Sequence, residues 1–175
     1  MDGKRPIVSS VHGMVAAAHP LAAAAGARML AMGGNAFDAA AATTAALNVV
    51  EPYMSGLAGL GMATCYIADE QQVRCLDYTP RIPSKFPAGK FDEREQIQRH
   101  PLSSGTPGNL AGWCELVRAY GKLSLAEVFA PAIALARDGF PLGRFNVELI
   151  NQSCASLHDH PQYAELNRVY ADGRG

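Results

Sequence analysis

Few residues of this sequence could do chemistry, and none of them forms a complete catalytic set. Arg81 follows Asp77 and Thr79 at the point where an apolar strand runs out into an irregular segment, a common position for a side chain that contacts a ligand. A guanidinium group can hold a carboxylate through two parallel hydrogen bonds, although exposed arginines are mostly just solvated. Arg81 is therefore a candidate substrate-binding residue, with solvation as the alternative.

The other polar side chains give no nucleophile. His158 and His160 stand in a turn-forming stretch, which favours solvation over metal binding. Thr43 and Thr44 fall inside a predicted helix and lack the free α-amine that activates a threonine hydroxyl, so packing is the better interpretation. Asp38 is interpreted as a helix cap rather than an acid.

A glycine-rich loop, Gly56–Gly61, invites comparison with phosphate-binding loops. A predicted helix precedes this loop and a predicted strand follows it, whereas the dinucleotide fingerprint runs from strand to loop to helix. The order favours a tight structural turn, and we expect no cofactor.

The four cysteines show neither a CxxC pair nor histidines at metal-ligand spacing, so we expect no metal site. In a symmetric hairpin Cys65 would lie directly opposite Cys75. Two interpretations remain open for the state of this pair. The cysteines are either reduced, buried thiols or a conditional cross-strand disulfide.

Size and composition indicate one compact domain over residues 1–175, with no second domain. The chain has 49% hydrophobic and 18% charged residues and a net charge of −1, which argues against a nucleic-acid partner. The first ten residues lack the apolar run of a signal peptide, and the Ala-rich stretch 36–50 is too polar for a membrane span. The expected location is the cytoplasm.

Periodicity and capping signals predict an α+β chain. Asn35 with Asp38, and Ser124 with Glu127, have the spacing of capping boxes, Asn109 could cap a further helix, and Pro131 predicts a kink or a break. The predicted helices are Leu21–Met32, Ala36–Asn48, Asn109–Tyr120, Ser124–Arg137 and Phe145–Ser156. The predicted hairpin strands, Met62–Ile67 and Val73–Tyr78, alternate poorly, which suggests a sheet covered on both faces.

Several segments, in this order and spacing, resemble the γ-glutamyltransferases. They are Gly13–Ala22, Gly33–Ala40, Val49–Gly56, Gly105–Gly112, Tyr120–Gly121, Pro131–Ala136 and Asp138–Pro141. The resemblance covers about residues 12–145 and is specific, because it combines several motifs.

This resemblance implies the N-terminal portion of an αββα four-layer sandwich of the N-terminal-nucleophile (Ntn) hydrolases. It also implies a proenzyme that cuts itself into two subunits. The N-terminal threonine of the small subunit attacks the γ-glutamyl amide of glutathione-like substrates. That threonine would lie beyond Gly175, so the resemblance places no catalytic residue in these 175 residues, which alone should be inactive.

One position departs from the family pattern. The family holds the substrate carboxylate with an arginine in a strand-end motif, and Thr79 stands at that position here, with Arg81 two residues later. Thr79 and Arg81 are therefore the candidate substrate-binding residues. The departure leaves two alternatives to a γ-glutamyl enzyme. The first is a related amidohydrolase or acylase with another acyl substrate, and the second is a non-catalytic fragment that binds a partner.

Overall fold

The computed structural model describes residues 7–170 except 92, 94–96, 98 and 99. The helices are α1 (Pro20–Ala31), α2 (Ala36–Val50), α3 (Asn109–Tyr120), α4 (Leu125–Asp138), α5 (Arg144–Leu157) and α6 (Ala164–Tyr170), and the strands are β1 (Met62–Ile67) and β2 (Gln72–Asp77). The chain forms two compact units, residues 1–137 and 138–175. No described helix is long and apolar enough to cross a membrane.

Local capping signals place the first two helices within two residues of their predicted bounds. The His19 Nδ1 atom accepts a hydrogen bond from the Leu21 amide at 3.2 Å, at the start of α1. Gly33 follows the end of α1 with φ at +89°, a conformation that glycine adopts without a Cβ penalty. Helix α2 ends at Val50 with Glu51 as its C-cap, directly before the proline that predicts this end.

Helices α1 and α2 pack closely because small residues face each other. A Cβ atom added at Gly26 would lie 2.1 Å from Thr43 Oγ1 and 2.9 Å from the Ala39 carbonyl oxygen. The Thr43 hydroxyl donates to that carbonyl at 2.7 Å, and the Thr44 hydroxyl donates to the Ala40 carbonyl at 2.6 Å. Thr43 is only 8% exposed, which confirms its predicted packing role, whereas the packing role of Thr44 stays a prediction.

Asp38 joins α2 to the turn between α3 and α4. Its fully buried carboxylate accepts from the Asn35 amide at 2.8 Å, which completes the predicted capping box. The same carboxylate accepts from the Lys122 amide at 3.0 Å and the Leu123 amide at 3.3 Å. Asp38 is thus a cap, as predicted, and also a long-range tether.

The hairpin forms where predicted, but its register is shifted by one residue. Cys65 pairs with Arg74 and Cys75 pairs with Thr64, because the connection contains a short 3-10 helix and Gln71 in the left-handed conformation. Successive pairs of an antiparallel ladder point to opposite faces, so the predicted Cys65–Cys75 pair is wrong. Both thiols are free, and burial raises the pKa of the Cys65 thiol, with Cys75 a smaller cause.

The two faces of the hairpin differ. Helix α3 packs against β2, and the face that carries Cys65, Ile67 and Leu76 is the less exposed one. On the opposite face, the directly paired Tyr66 and Val73 are 62% and 67% exposed. One face of the hairpin is therefore open in the described residues, and the prediction of a sheet covered on both faces stays a prediction for the complete protein.

Helix α4 begins with the second predicted capping box. The Ser124 hydroxyl and amide both donate to the Glu127 carboxylate, at 2.7 and 2.8 Å, and these bonds lower the Glu127 pKa. Pro131 lies inside α4, which continues to Asp138 as one helix. Of the two predicted outcomes at Pro131, the break is wrong, and the kink stays a prediction.

In the second unit, α5 matches its predicted range within a residue at each end. No sequence pattern predicted α6, which is tied back to α5 by a hydrogen bond of 3.2 Å from Asn167 Nδ2 to the Leu157 carbonyl oxygen. The single-domain organisation of residues 1–175 stays a prediction.

Candidate functional site

The two predicted substrate-binding residues, Thr79 and Arg81, lie on one exposed segment that leaves the end of β2. The Thr79 amide donates to the Asp77 carboxylate at 2.9 Å. The Thr79 side chain, as the larger cause, and the Thr79 amide together lower the Asp77 pKa. Arg81 makes no ion pair with any described residue.

Tyr78 fixes the direction in which the chain leaves the strand. Its amide donates to the Gly61 carbonyl oxygen at 3.1 Å, which prolongs the hairpin by one bond. Added Cβ atoms at Gly61 and Gly112 would lie 2.6 and 2.3 Å from the tyrosine ring, closer than side chains are found. The ring therefore occupies space that only glycine leaves open, and its flanking residues Asp77 and Thr79 are held in place.

The glycine loop before β1 is held against the start of α3. The Gly59 carbonyl oxygen accepts from the Gly108 and Asn109 amides at 3.3 and 3.2 Å. Asn109 Nδ2 donates to the Gly56 carbonyl oxygen at 2.6 Å. The Gly59 amide donates to the Gly56 carbonyl oxygen at 2.9 Å, which closes the tight turn that the element order predicted.

Asn109 itself differs from the sequence prediction. Gly108 is the N-cap of α3 and makes no side-chain capping bond, and Asn109 is the first helical residue, only 7% exposed. Its partner Gly56 is 53 residues away, so no local pattern could have revealed the contact. Sequence reasoning therefore missed both Asn109 and Tyr78 as the residues that build the site.

Two grooves lie apart from this strand end. The larger, about 730 Å³, is lined by the segment 12–16 and by residues of α1 and α2, and the smaller, about 350 Å³, lies between the hairpin and α3. Neither groove is lined by Thr79 or Arg81. Thr79 and Arg81 are both exposed among the residues that the structure describes. No group of three metal-ligating side chains occurs among the residues that the structure describes.

The arrangement offers binding but no nucleophile. The segment after β2 carries a carboxylate, a hydroxyl and a guanidinium group within five residues, Asp77 to Arg81, all solvent-accessible. Such groups can orient a polar or charged substrate.

Comparison with solved structures defines the class of protein. The fold superimposes on the γ-glutamyltranspeptidase of Helicobacter pylori with a TM-score of 0.81 and 28% sequence identity, over 91% of this chain and 47% of that one. The predicted fold class, an α+β portion of the Ntn-hydrolase sandwich, is confirmed by this match.

Sequence comparison identifies the family. The family described as gamma-glutamyltranspeptidase matches residues 22–175, and the chain belongs to that family. It is 38% identical to the Acylase ACY 1 proenzyme of Pseudomonas sp. strain V22, over 93% of this chain and 31% of the acylase. It is also 38% identical to the glutathione hydrolase proenzyme of Bacillus subtilis strain 168, over 79% of this chain and 25% of the hydrolase. The chain thus spans about a third or less of these relatives.

Proposed function

We propose that this chain is the N-terminal part of the large subunit of a γ-glutamyltransferase-like enzyme. The complete protein hydrolyses or transfers the γ-glutamyl group of glutathione-like substrates, in the cytoplasm, and its nucleophile is the N-terminal threonine of the small subunit. The observation that carries the proposal is the family match over residues 22–175. Within it, Arg81 holds the substrate carboxylate from a position two residues beyond the family's arginine, and Thr79 lines the same site.

The complete gene product tests this proposal. We expect it to cleave itself into two subunits and to hydrolyse γ-glutamyl-p-nitroanilide and glutathione, whereas residues 1–175 alone show no turnover. If the protein cleaves itself normally but turns over neither substrate, the γ-glutamyl assignment is wrong and the family assignment still holds.

If the rest of the complete enzyme buries the pair of Arg81 and the substrate carboxylate, Arg81→Ala should weaken transition-state binding of γ-glutamyl-p-nitroanilide by about 2 to 5 kcal/mol, because it leaves that carboxylate unpaired. The measurement is kcat/KM. Lys85→Ala removes a second exposed positive charge from the same segment and serves as the matched control. Equal kcat/KM values for the two variants would show that Arg81 is a solvated side chain that does not bind the substrate.

A specific observation also favours a second candidate function. Thr79 stands at the position of the family's carboxylate-binding arginine, and a neutral hydroxyl cannot replace a bidentate guanidinium contact. One relative at 38% identity is named an acylase proenzyme. An amide hydrolase with a different acyl group is therefore the alternative, and turnover of a non-glutamyl acyl anilide in preference to the γ-glutamyl one would favour it.

A further inference from the structure

The segment that follows β2 keeps the alternation of a strand after the hairpin has ended. In extended backbone, successive side chains point to opposite sides. Tyr78 and Pro80 are half-buried. Thr79 and Arg81, which alternate with them, are exposed, so these two side chains lie on the same side of the segment. A shift of two residues along the segment therefore leaves the side unchanged.

The ring of Pro80 packs over the turn that leads into α3. A Cβ atom added at Gly105 would lie 3.6 Å from Pro80 Cγ, and one added at Gly108 would lie 3.5 Å from Pro80 Cδ. The Cβ atom at Gly108 would also lie 2.4 Å from the Tyr78 carbonyl oxygen, closer than side chains are found. The backbone before Pro80 and the proline ring itself thus both contact a turn that carries no side chain at these two positions.

Pro80 also restricts the backbone on both sides of it. Its ring holds its own φ near about −65°, and its Cδ atom keeps the preceding Thr79 out of the helical region. The Thr79 amide is in addition bonded to the Asp77 carboxylate at 2.9 Å. Arg81 follows directly, so its backbone begins from a position that two packed neighbours, Tyr78 and Pro80, have fixed.

We propose that Pro80 is a positioning residue, which holds the backbone of Arg81 in place for substrate binding. The inference rests on the proposed function, in which Arg81 holds the substrate carboxylate. Pro80 acts through Arg81, because it removes conformations that the segment would otherwise lose on binding. Since the alternation repeats every two residues, Pro80 anchors an arginine on the same side as Thr79, the position of the family's arginine.

Replacement of the proline tests this role. Pro80→Ala in the complete enzyme should lower kcat/KM for γ-glutamyl-p-nitroanilide by about fivefold, the order expected when one more backbone residue must be fixed on binding. The loss should appear as a raised KM with kcat nearly kept, as for a contact that substrate and transition state share. Pro87→Ala removes an exposed proline from the same irregular segment and should leave kcat/KM as in the wild type.

A double-mutant cycle separates positioning from a general effect on stability. If Pro80 acts through Arg81, Pro80→Ala should change kcat/KM by less than about twofold once Arg81 has been replaced by alanine. The same loss with and without Arg81 would overturn the inference, because Pro80 would then act independently of the arginine.

Amide hydrogen exchange in the complete protein measures the anchoring without turnover. After correction for intrinsic rates, the amides of Thr79 and Arg81 should exchange faster in Pro80→Ala than in the wild type, and at the wild-type rate in Pro87→Ala. Unchanged exchange in Pro80→Ala overturns the inference. If no γ-glutamyl substrate is turned over, the proposed function fails, and the exchange rates alone decide whether Pro80 anchors the segment.

Discussion

At the scale of single residues, Asp38 is a polar group of the core that connects distant parts of the chain. It is fully buried and accepts hydrogen bonds from three backbone amides, of which two belong to the distant residues Lys122 and Leu123. Carboxylates in such positions are stabilised by the amides that surround them. The side chain therefore holds the helix pair α1 and α2 against the turn that follows α3.

Asp38→Ala should destabilise the complete protein by about 3 kcal/mol or more, because it leaves three amides without an acceptor and each unsatisfied buried group costs about 1 to 3 kcal/mol. The free energy of unfolding from chemical denaturation measures the effect. Asp38→Asn keeps one acceptor oxygen and should lose less. Equal losses for the two variants would show that the backbone amides find other partners.

Residue identity alone predicted part of the candidate site. Thr79 and Arg81 stood out because the strand pattern ends before them and because they interrupt a family motif. The hydrogen bonds from Thr79 to Asp77 span two residues, a local turn pattern that the sequence could in principle indicate. Tyr78 could not be found this way, since its role depends on contacts with Gly61 and Gly112.

At the scale of elements, helix starts were the most predictable features. The capping boxes at Asn35 and Ser124 depend on side chains within three residues of the amides that they satisfy, so a local pattern contains all the information. The register of the hairpin was not predictable in the same way. Its connection adopts a 3-10 turn and a left-handed Gln71, and a slip of one residue exchanges the faces of every side chain.

The packing of α1 on α2 leads to a prediction at this scale. Gly26→Ala would place a methyl group 2.1 Å from Thr43 Oγ1 and 2.9 Å from the Ala39 carbonyl oxygen, and the backbone atom cannot move aside without shifting α2. Overpacking of this kind costs about 1 to 3 kcal/mol, which exceeds the gain of up to about 1 kcal/mol in helix propensity from glycine to alanine.

Thermal unfolding of the complete protein checks this expectation as a lowered Tm. Gly89→Ala is the matched control, because an added Cβ meets no atom within 4 Å there and the backbone is outside the left-handed region. A Gly26→Ala protein as stable as the control would mean that the two helices separate at little cost.

At the scale of the whole molecule, the open face of the hairpin is the dominant feature. It carries Met62, Tyr66 and Val73, each more than 60% exposed, on a two-stranded sheet. Two-stranded hairpins with apolar faces are marginally stable in water unless another element packs on them. The sandwich architecture contains further strands beyond this hairpin. The open face of the hairpin is therefore the surface on which the rest of the sandwich would pack.

Residues 1–175 expressed alone should therefore self-associate. Exposed apolar sheet faces and unpaired strand edges favour association, and Tyr66 and Val73 form a directly paired apolar patch on one face. Sedimentation velocity over a tenfold range of concentration should show oligomers that grow with concentration, and Val73→Lys should shift the distribution toward monomer. Gln72→Lys adds the same charge to the neighbouring residue, whose side chain points to the opposite face, and should have a smaller effect. If both variants reduce association equally, net charge rather than the open face controls it, and a wild-type chain that stays monomeric throughout would show that this face is stable in water.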